Sequence, residues 1–257
     1  MKESFVFALL LCLLAVATPA KKVVNGVEMI TELEELVDPP TTAVIVIDMQ
    51  NENCSTEGGC GRTDRAIPAD PALHTVRSEY AKQVKSMEKF LAAARKAGAL
   101  ISYAEHIHAN RYGARLVSGP DLWVHRNAPW VSCVVEGTWE AETIRELAPQ
   151  PGDLVVPKIK GNSFHGTGLG ELYRERGIKS VLLTGTVTKG SVFRTANGAL
   201  TRGYYSVFVR DCVDHQDEKF VEWAAGPFPM YGSDEIIASW QQSIGDEKSN
   251  AAEQSAN

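Results

Sequence analysis

Short apolar runs alternate with amphipathic stretches along most of this chain, and this alternation restricts its fold more than any other feature. The runs are rich in Val, Ile and Leu with little polar alternation, as in strands that helices cover on both faces. Candidate strands lie at residues 43–49, 100–105, 154–159, 180–187 and 205–213. Strands that alternate with helices form parallel sheets. We therefore predict an α/β protein, a three-layer α/β/α domain around a mostly parallel, Rossmann-like sheet.

The stretches between these runs predict the helices. Asp70 and Pro71 are suited to an N-cap and a first helical position, and Gly98 to a C-cap, so one helix is predicted at 70–96. Shorter helices are predicted at 168–176, 192–201 and 233–243. The segment 106–149 has few regular signals, and loops of that length usually serve function or cover a site.

The two ends of the chain differ in character from the middle. Lys2 precedes an apolar run at 5–17, and small residues up to Ala20 offer a cleavage site. A run this short is typical of a secretory signal rather than a membrane span, although an uncleaved anchor is the alternative. We expect a signal peptide at 1–20, one domain at 21–244 and a disordered tail at 245–257. The processed protein is expected to be secreted, away from the membrane.

The net charge of the chain and its cysteines limit which partners and which disulfides are expected. A formal net charge of -6 argues against nucleic acid, which binds through Lys and Arg. Cys54 and Cys60 flank a Gly-rich loop and are candidates for a disulfide in an oxidising compartment. Cys133 and Cys212 are more simply interpreted as buried thiols. Asn53 begins a glycosylation sequon.

Polar residues stand where three of the predicted strands end. Asp48 closes the first strand, Lys158 closes the third, and Ser191 opens the helix after the fourth. The carboxyl ends of parallel strands meet at one edge of a sheet, so these side chains are expected to share a pocket for a small molecule. Lys160 competes with Lys158, because it points the same way if the strand continues.

These segments resemble the isochorismatase-like hydrolases, whose cysteine-hydrolase branch uses an Asp, a Lys and a Cys. The resemblance extends over about residues 40 to 240 and rests on three motifs in the family's order. They read Val-Ile-Val-Ile-Asp48-Met-Gln50, Lys158 followed by Asn162-Ser-Phe-His-Gly-Thr-Gly-Leu169, and Thr188-Lys-Gly-Ser191-Val-Phe-Arg-Thr195. In the last motif Ser191 replaces the cysteine and Lys189 the usual asparagine.

The resemblance implies hydrolysis of a C–N bond in a small, planar amide, and it implies self-association. Asp48 would shuttle protons and Lys158 would lower the pKa of the nucleophile. Backbone N–H groups near Val187 and Ser191 would hold the oxyanion. The family often has a non-proline cis peptide here, at Thr186–Val187. Further substrate contacts are expected from Phe164, His165 and His106.

Ser191 leaves the activity open, because a serine hydroxyl normally needs a histidine-type base to attack. It is compatible with a slow nucleophile, with a trap that holds substrate, or with lost activity. Two other functions therefore stand beside amide hydrolysis. One is a silent small-molecule-binding protein, and the other is cleavage of the vinyl ether of isochorismate led by Asp48.

Histidines and tryptophans complete the candidates. The nicotinamidase branch binds a metal through an Asp-x-His and a further His, whereas His106 and His108 lack that arrangement, so we predict neither metal nor cofactor. His74 and His215 are interpreted as surface residues. Three tryptophans near the long loop are interpreted as packing anchors or as an apolar wall for substrate, namely Trp123, Trp130 and Trp139.

Overall fold

The structure is a computed structural model, and it describes residues 22–59, 69–112, 114, 116–124, 134–214 and 218–255. The described residues up to Thr31 form one unit, and a second begins at Glu32, whereas one domain was predicted from Lys21. The first unit contains an antiparallel hairpin of β1 (Lys22–Val24) and β2 (Val27–Met29). Asn25 and Gly26 turn it, with φ of 51° and 79°, as an Asn-Gly turn requires. The predicted signal peptide lies outside the described residues.

A six-stranded parallel sheet forms the centre of the second unit. Its strands are β3 (Thr42–Ile47), β4 (Leu100–His106), β5 (Leu154–Lys158), β6 (Ser180–Gly185), β7 (Tyr205–Val213) and β8 (Met230–Tyr231). They lie in the order β5-β4-β3-β6-β7-β8, and every neighbouring pair is parallel. The predicted parallel α/β fold is thus confirmed. Among the described strands, the two-residue edge strand β8 and the hairpin strands β1 and β2 have no counterpart among the predicted strands.

Helices α1 (Leu33–Leu36), α2 (Asn51–Cys54), α3 (Ala81–Ala97), α4 (Gly119–Val124), α5 (Leu169–Glu175), α6 (Phe193–Leu200), α7 (Glu218–Ala225) and α8 (Ser233–Ser255) accompany the sheet. The predicted start of α3 was wrong. Asp70 accepts the N–H of Ala72 at 3.0 Å, but it caps only a 3₁₀ turn. The next residues pair with the end of α2, since the N–H of Arg77 donates to the carbonyl of Cys54. This tertiary pairing delays the helix until Ala81.

The predicted disordered tail is also corrected, because α8 continues to Ser255. Beyond Gly245 the segment has no proline, and seven of its twelve residues are Ala, Glu, Gln or Lys, all good helix formers. The prediction of disorder rested on the lack of large apolar residues for packing, whereas helix propensity also lengthens a helix that has already formed. Among the described residues, no helix has the length and hydropathy to cross a bilayer.

The core lies against both faces of the sheet. On one face Ile45, Ile47 and Leu183 pack with buried residues of α5 and α6. On the other, Phe90 of α3 stacks on Trp240 of α8, with ring centroids 5.3 Å apart. Helices on both faces leave the carboxyl edge of the sheet open to loops, which is where the polar side chains converge.

Candidate active site

The candidate site lies at the carboxyl ends of β3 and β6. From this central pair the chain builds β4 and β5 on one side and β7 and β8 on the other. Parallel sheets bind ligands at such a reversal of strand order. Gly185 ends β6 with φ of 107°, and a Cβ on it would lie 2.1 Å from the carbonyl oxygen of Ile47. Only glycine permits this close approach of the two strand ends.

Asp48 is the first residue after β3 and is almost fully buried. Its φ of 53° is in the left-handed region, which Asp tolerates better than most residues. Its N–H donates to the carbonyl of Ala104 at 3.1 Å, and its own carbonyl accepts from Asn53 Nδ2 at 3.2 Å. Both bonds hold the backbone that carries the carboxylate.

Lys158, the last residue of β5, joins the predicted catalytic side chains. Its buried ammonium donates to Asp48 Oδ2 at 3.1 Å, Ser191 Oγ at 3.3 Å and the carbonyl of Lys160 at 3.2 Å. An ammonium has three hydrogens, so each has an acceptor. Burial lowers the pKa of Lys158, and the charge of Asp48 opposes that shift. Lys158 rather than Lys160 is therefore the lysine of the site.

The two oxygens of Asp48 have different surroundings. Oδ1 lies 2.9 Å from Lys158 Nζ, but in a direction unsuited to a hydrogen bond, and no other described donor reaches it. A buried carboxylate oxygen without a hydrogen bond is a ready acceptor for a proton. Asp48 is thus held by the Lys158 ammonium, and its Oδ1 atom is available to accept a proton.

Ser191 occupies the turn between β6 and α6. The turn contains a non-proline cis peptide at Thr186–Val187, at the position that the family resemblance implies. Gly190, with φ of -110° and ψ of -106°, interrupts the helical turn at Thr188–Val192. Ser191 is 9% exposed, so it is largely buried but keeps a small contact with solvent.

Asp214, the first residue after β7, supports this turn, and the sequence analysis missed it. Its buried Oδ2 accepts from the N–H of Thr188 at 2.6 Å and from Thr186 Oγ1 at 3.2 Å. A carboxylate that accepts a backbone N–H forms a strong, charge-assisted bond. Asp214 is therefore a positioning residue for the segment that carries Ser191.

His106 lies beside the ion pair at the end of β4. Gln50 holds its backbone, since His106 N–H donates to Gln50 Oε1 at 2.8 Å and Gln50 Nε2 donates to the His106 carbonyl at 3.0 Å. Burial, followed by the charge of Lys158, lowers the pKa of His106 to about 3. The imidazole is therefore neutral at neutral pH and a poor base for a serine hydroxyl.

A metal does not fit the described residues. The rings of His106 and His108 are 4.7 Å apart. No cluster of three or more His, Cys, Asp or Glu side chains suited to an ion occurs in the described ranges. Catalytic zinc sites use three protein ligands, so this pair is incomplete.

The remaining predicted contacts differ in location. Val187 is 38% exposed and lies in the same turn as Ser191, so its contact with substrate stays a prediction. Phe164 belongs instead to the core, with its ring packed on Tyr173 and Tyr204. The sequence motif gave no sign that the Phe164 side chain points into the core rather than toward the site. His165 is exposed, and its side chain makes no contact that assigns it to the site.

The surface assignment of His74 was wrong. It is buried, with Nδ1 2.7 Å from Ser55 Oγ and Nε2 3.0 Å from Glu146. Its ring also meets Trp139 edge-on, so Trp139 is an anchor for the long loop. Ser55 is fully buried, so this Ser-His-Glu chain ties segments together and cannot attack a substrate. Trp123 is 69% exposed, and Trp130 and His215 lie outside the described residues.

The other sequence features remain predictions in part. Cys212 is a buried free thiol, and burial raises its pKa. Cys54 is buried, but Cys60 and Cys133 lie outside the described residues, so the disulfide stays a prediction. Glycosylation of Asn53 also stays a prediction, and its bond to the Asp48 carbonyl opposes it.

Comparison with known proteins agrees with this geometry. The family model described as the Isochorismatase domain matches residues 42–226. The chain belongs to the isochorismatase family. It is 31% identical to the ureidoacrylate amidohydrolase RutB of Agrobacterium fabrum, over 72% of this chain and 81% of that protein. RutB of Caulobacter segnis is 30% identical, over 74% of this chain and 79% of the relative.

Solved structures share the fold of this isochorismatase-family chain. A cysteine hydrolase from Pseudomonas syringae pv. phaseolicola 1448A superposes with a TM-score of 0.64 at 22% identity, covering 80% of this chain and 95% of that one. N-carbamoylsarcosine amidase from Thermoplasma acidophilum gives a TM-score of 0.57 at 26% identity, covering 76% and 97%.

Proposed function

We propose that this isochorismatase-family protein hydrolyses a C–N bond of a small amide or ureide through Asp48, Lys158 and Ser191. The observation that carries the proposal is the buried Lys158 ammonium, which donates to both the Asp48 carboxylate and the Ser191 hydroxyl. The names of its relatives, ureidoacrylate amidohydrolase and N-carbamoylsarcosine amidase, support the same bond class.

The reaction follows from these contacts. Ser191 Oγ attacks the carbonyl carbon, its proton passes to Asp48, and the Lys158 charge stabilises the developing negative charge on oxygen. The backbone N–H groups of Val187 and Ser191 complete the oxyanion site. The tetrahedral intermediate collapses, Asp48 returns the proton to the leaving nitrogen, and the amine departs. Water then cleaves the acyl-serine ester with Asp48 as base and releases the acid.

Serine makes the first step slow. Its hydroxyl is a weak nucleophile unless a suitable base removes its proton, and the neighbouring His106, with a pKa of about 3, is a poor one. A ligand-binding protein with little turnover is therefore the second candidate. Vinyl-ether cleavage led by Asp48 needs a carboxylic acid to protonate the substrate, whereas the ion pair with Lys158 contains a carboxylate.

Asp48→Asn should lower ammonia release by about 100-fold or more, because a positioned acid–base group contributes at least that factor. The assay compares nicotinamide, ureidoacrylate-like amides and isochorismate. Asp234→Asn, which removes an exposed carboxylate, serves as the control and should leave the rate unchanged. Ammonia release that is indifferent to Asp48→Asn would contradict the assignment. Pyruvate release from isochorismate as the only activity would favour the vinyl-ether function.

We also propose that the protein is secreted after removal of the predicted signal peptide. Intact-mass analysis of protein from its natural host should give a chain that begins near Thr18 or Lys21. The basis is the Lys2 n-region followed by a short apolar run and small residues. A mass that includes residues 1–17 would contradict cleavage and favour an anchor.

A further inference from the structure

Arg194 has no role in the proposed chemistry, yet it lies one helical turn after Ser191 on α6. Residues three apart on a helix are neighbours on one face. Within the described part of the chain, its exposed guanidinium has neither an ion pair nor a hydrogen bond. An arginine with no protein partner beside a nucleophile is available to a ligand.

The Arg194 side chain occupies space next to Gly161, where no side chain of residue 161 is in the way. A Cβ on Gly161 would lie 2.9 Å from Arg194 Cδ and 3.0 Å from Nη1, so any larger residue would displace the arginine. Thr195 Oγ1 holds this segment against α6, since it donates to the Gly161 carbonyl at 3.4 Å and accepts from Ser163 N–H at 3.1 Å. Gly161 also follows Lys160, whose carbonyl accepts from the Lys158 ammonium. Arg194 is thus held next to the catalytic lysine.

Charge in this region favours an anion. The positive charge of Arg194 contributes to lowering the pKa of Lys158, so the two cations are within electrostatic reach. The nearby carboxylate, Asp48, is already paired with Lys158. No carboxylate of the described residues forms an ion pair with Arg194, so its positive charge is available to an anionic ligand. A guanidinium binds a carboxylate through two parallel hydrogen bonds, with well-defined orientation.

We propose that Arg194 binds a carboxylate of the substrate, so that the protein acts on amido or ureido acids rather than on neutral amides. This inference rests on the proposed C–N hydrolase function and names its substrate class. With its acid end bound through Arg194, a short substrate would have its amide carbon directed toward Ser191.

Titration calorimetry on the unaltered chain tests this with 3-ureidopropanoate and its uncharged isostere 1-(3-methylbutyl)urea. The acid should bind at least about 10-fold more tightly. Arg194→Gln should lower the affinity for the acid by about 10- to 100-fold, because it removes a charged hydrogen-bonding partner. The affinity for the neutral urea should change less than about twofold. Arg194→Lys should be intermediate, because it keeps the charge but loses the paired bonds. Arg176→Gln, an equal loss of charge at the opposite edge of the sheet, should change neither.

Ammonia release is measured in parallel, on nicotinamide and on both ureides. Three results would overturn the inference. Arg194→Gln could lower the affinity for both ligands equally, it could leave the affinity for the acid unchanged, or the acid could fail to bind the unaltered chain. Hydrolysis of the acid at a rate that ignores Arg194→Gln, alongside hydrolysis of the neutral amides, would leave the hydrolase function intact and reject only the role of Arg194. Arg194-dependent binding of the acid, with no ammonia from any compound, would support Arg194 and count against the hydrolase function.

Discussion

Ser191→Cys is expected to raise turnover on small amides by about 100-fold or more. A thiol has a reference pKa of about 8.5, which a neighbouring lysine and a helix N-terminus lower further. Lys158 Nζ lies 3.3 Å from Ser191 Oγ, at the start of α6, so both influences act on this atom. Each pKa unit of activation corresponds to about 1.4 kcal/mol, or tenfold, and a hydroxyl lies several units above a thiol. Ammonia release from the amide panel measures the gain.

Ser180→Cys is the matched control, because Ser180 is also buried but lies at the opposite end of β6. Its hydroxyl has no hydrogen-bond partner among the described residues, so the exchange removes no bond. It should leave turnover unchanged. Fast amide hydrolysis by the serine form, with no gain from cysteine, would defeat the idea that Ser191 limits the reaction. Activity on isochorismate alone, lost in Asp48→Ala and indifferent to residue 191, would select the vinyl-ether reaction.

Lys158→Met should lower the free energy of unfolding by about 3–5 kcal/mol, the typical effect of removing one partner of a buried ion pair. The substitution leaves the Asp48 carboxylate buried, where its other oxygen already lacks a hydrogen bond. It also removes the hydrogen bonds to Ser191 and to the carbonyl of Lys160. Urea denaturation followed by circular dichroism measures the loss.

The double variant Asp48→Asn with Lys158→Met separates the charge effect from packing. It should recover much of the lost stability, since no unpaired charge remains, while staying inactive. Lys160→Met is the control, because the Lys160 side chain is only partly buried and its ammonium donates to Ser118 Oγ at 3.4 Å rather than to a buried carboxylate. This substitution should cost little stability. A Lys158→Met protein as stable as the unaltered chain would show that Asp48 gains no stability from this lysine.

The strands were predictable because local composition reports burial on both faces. The sequences of β3 to β7 are short, apolar runs, and such runs are typical of parallel strands covered by helices on both faces. Helix ends were less predictable, because contacts with distant segments decide them. The bond from Arg77 N–H to the Cys54 carbonyl keeps residues 70–80 out of α3, and nothing in the local sequence signals that partner. Conversely, α8 extends past Gly245 on local propensity, although it offers little to pack.

Part of the candidate site was also predictable. Asp48, Lys158 and Ser191 each stand at the end of a strand or the start of a helix, and a parallel sheet must bring such ends to one edge. The order of the three motifs also allowed the family and the position of the cis peptide to be predicted. Phe164 shows the limit, because its motif resembles a binding loop while its ring lies in the core.

The amino-acid sequence by itself determined the parallel α/β sheet, the family and the three side chains that meet at its carboxyl edge. Only the tertiary structure decided that Lys158 rather than Lys160 points inward, that Asp214 holds the Ser191 turn, and that Arg194 lies in the space left by Gly161. The physical reason is one of range. Periodicity records which faces of an element are buried, whereas an ion pair or a close approach joins residues far apart in the chain. Such contacts exist only once the elements have packed.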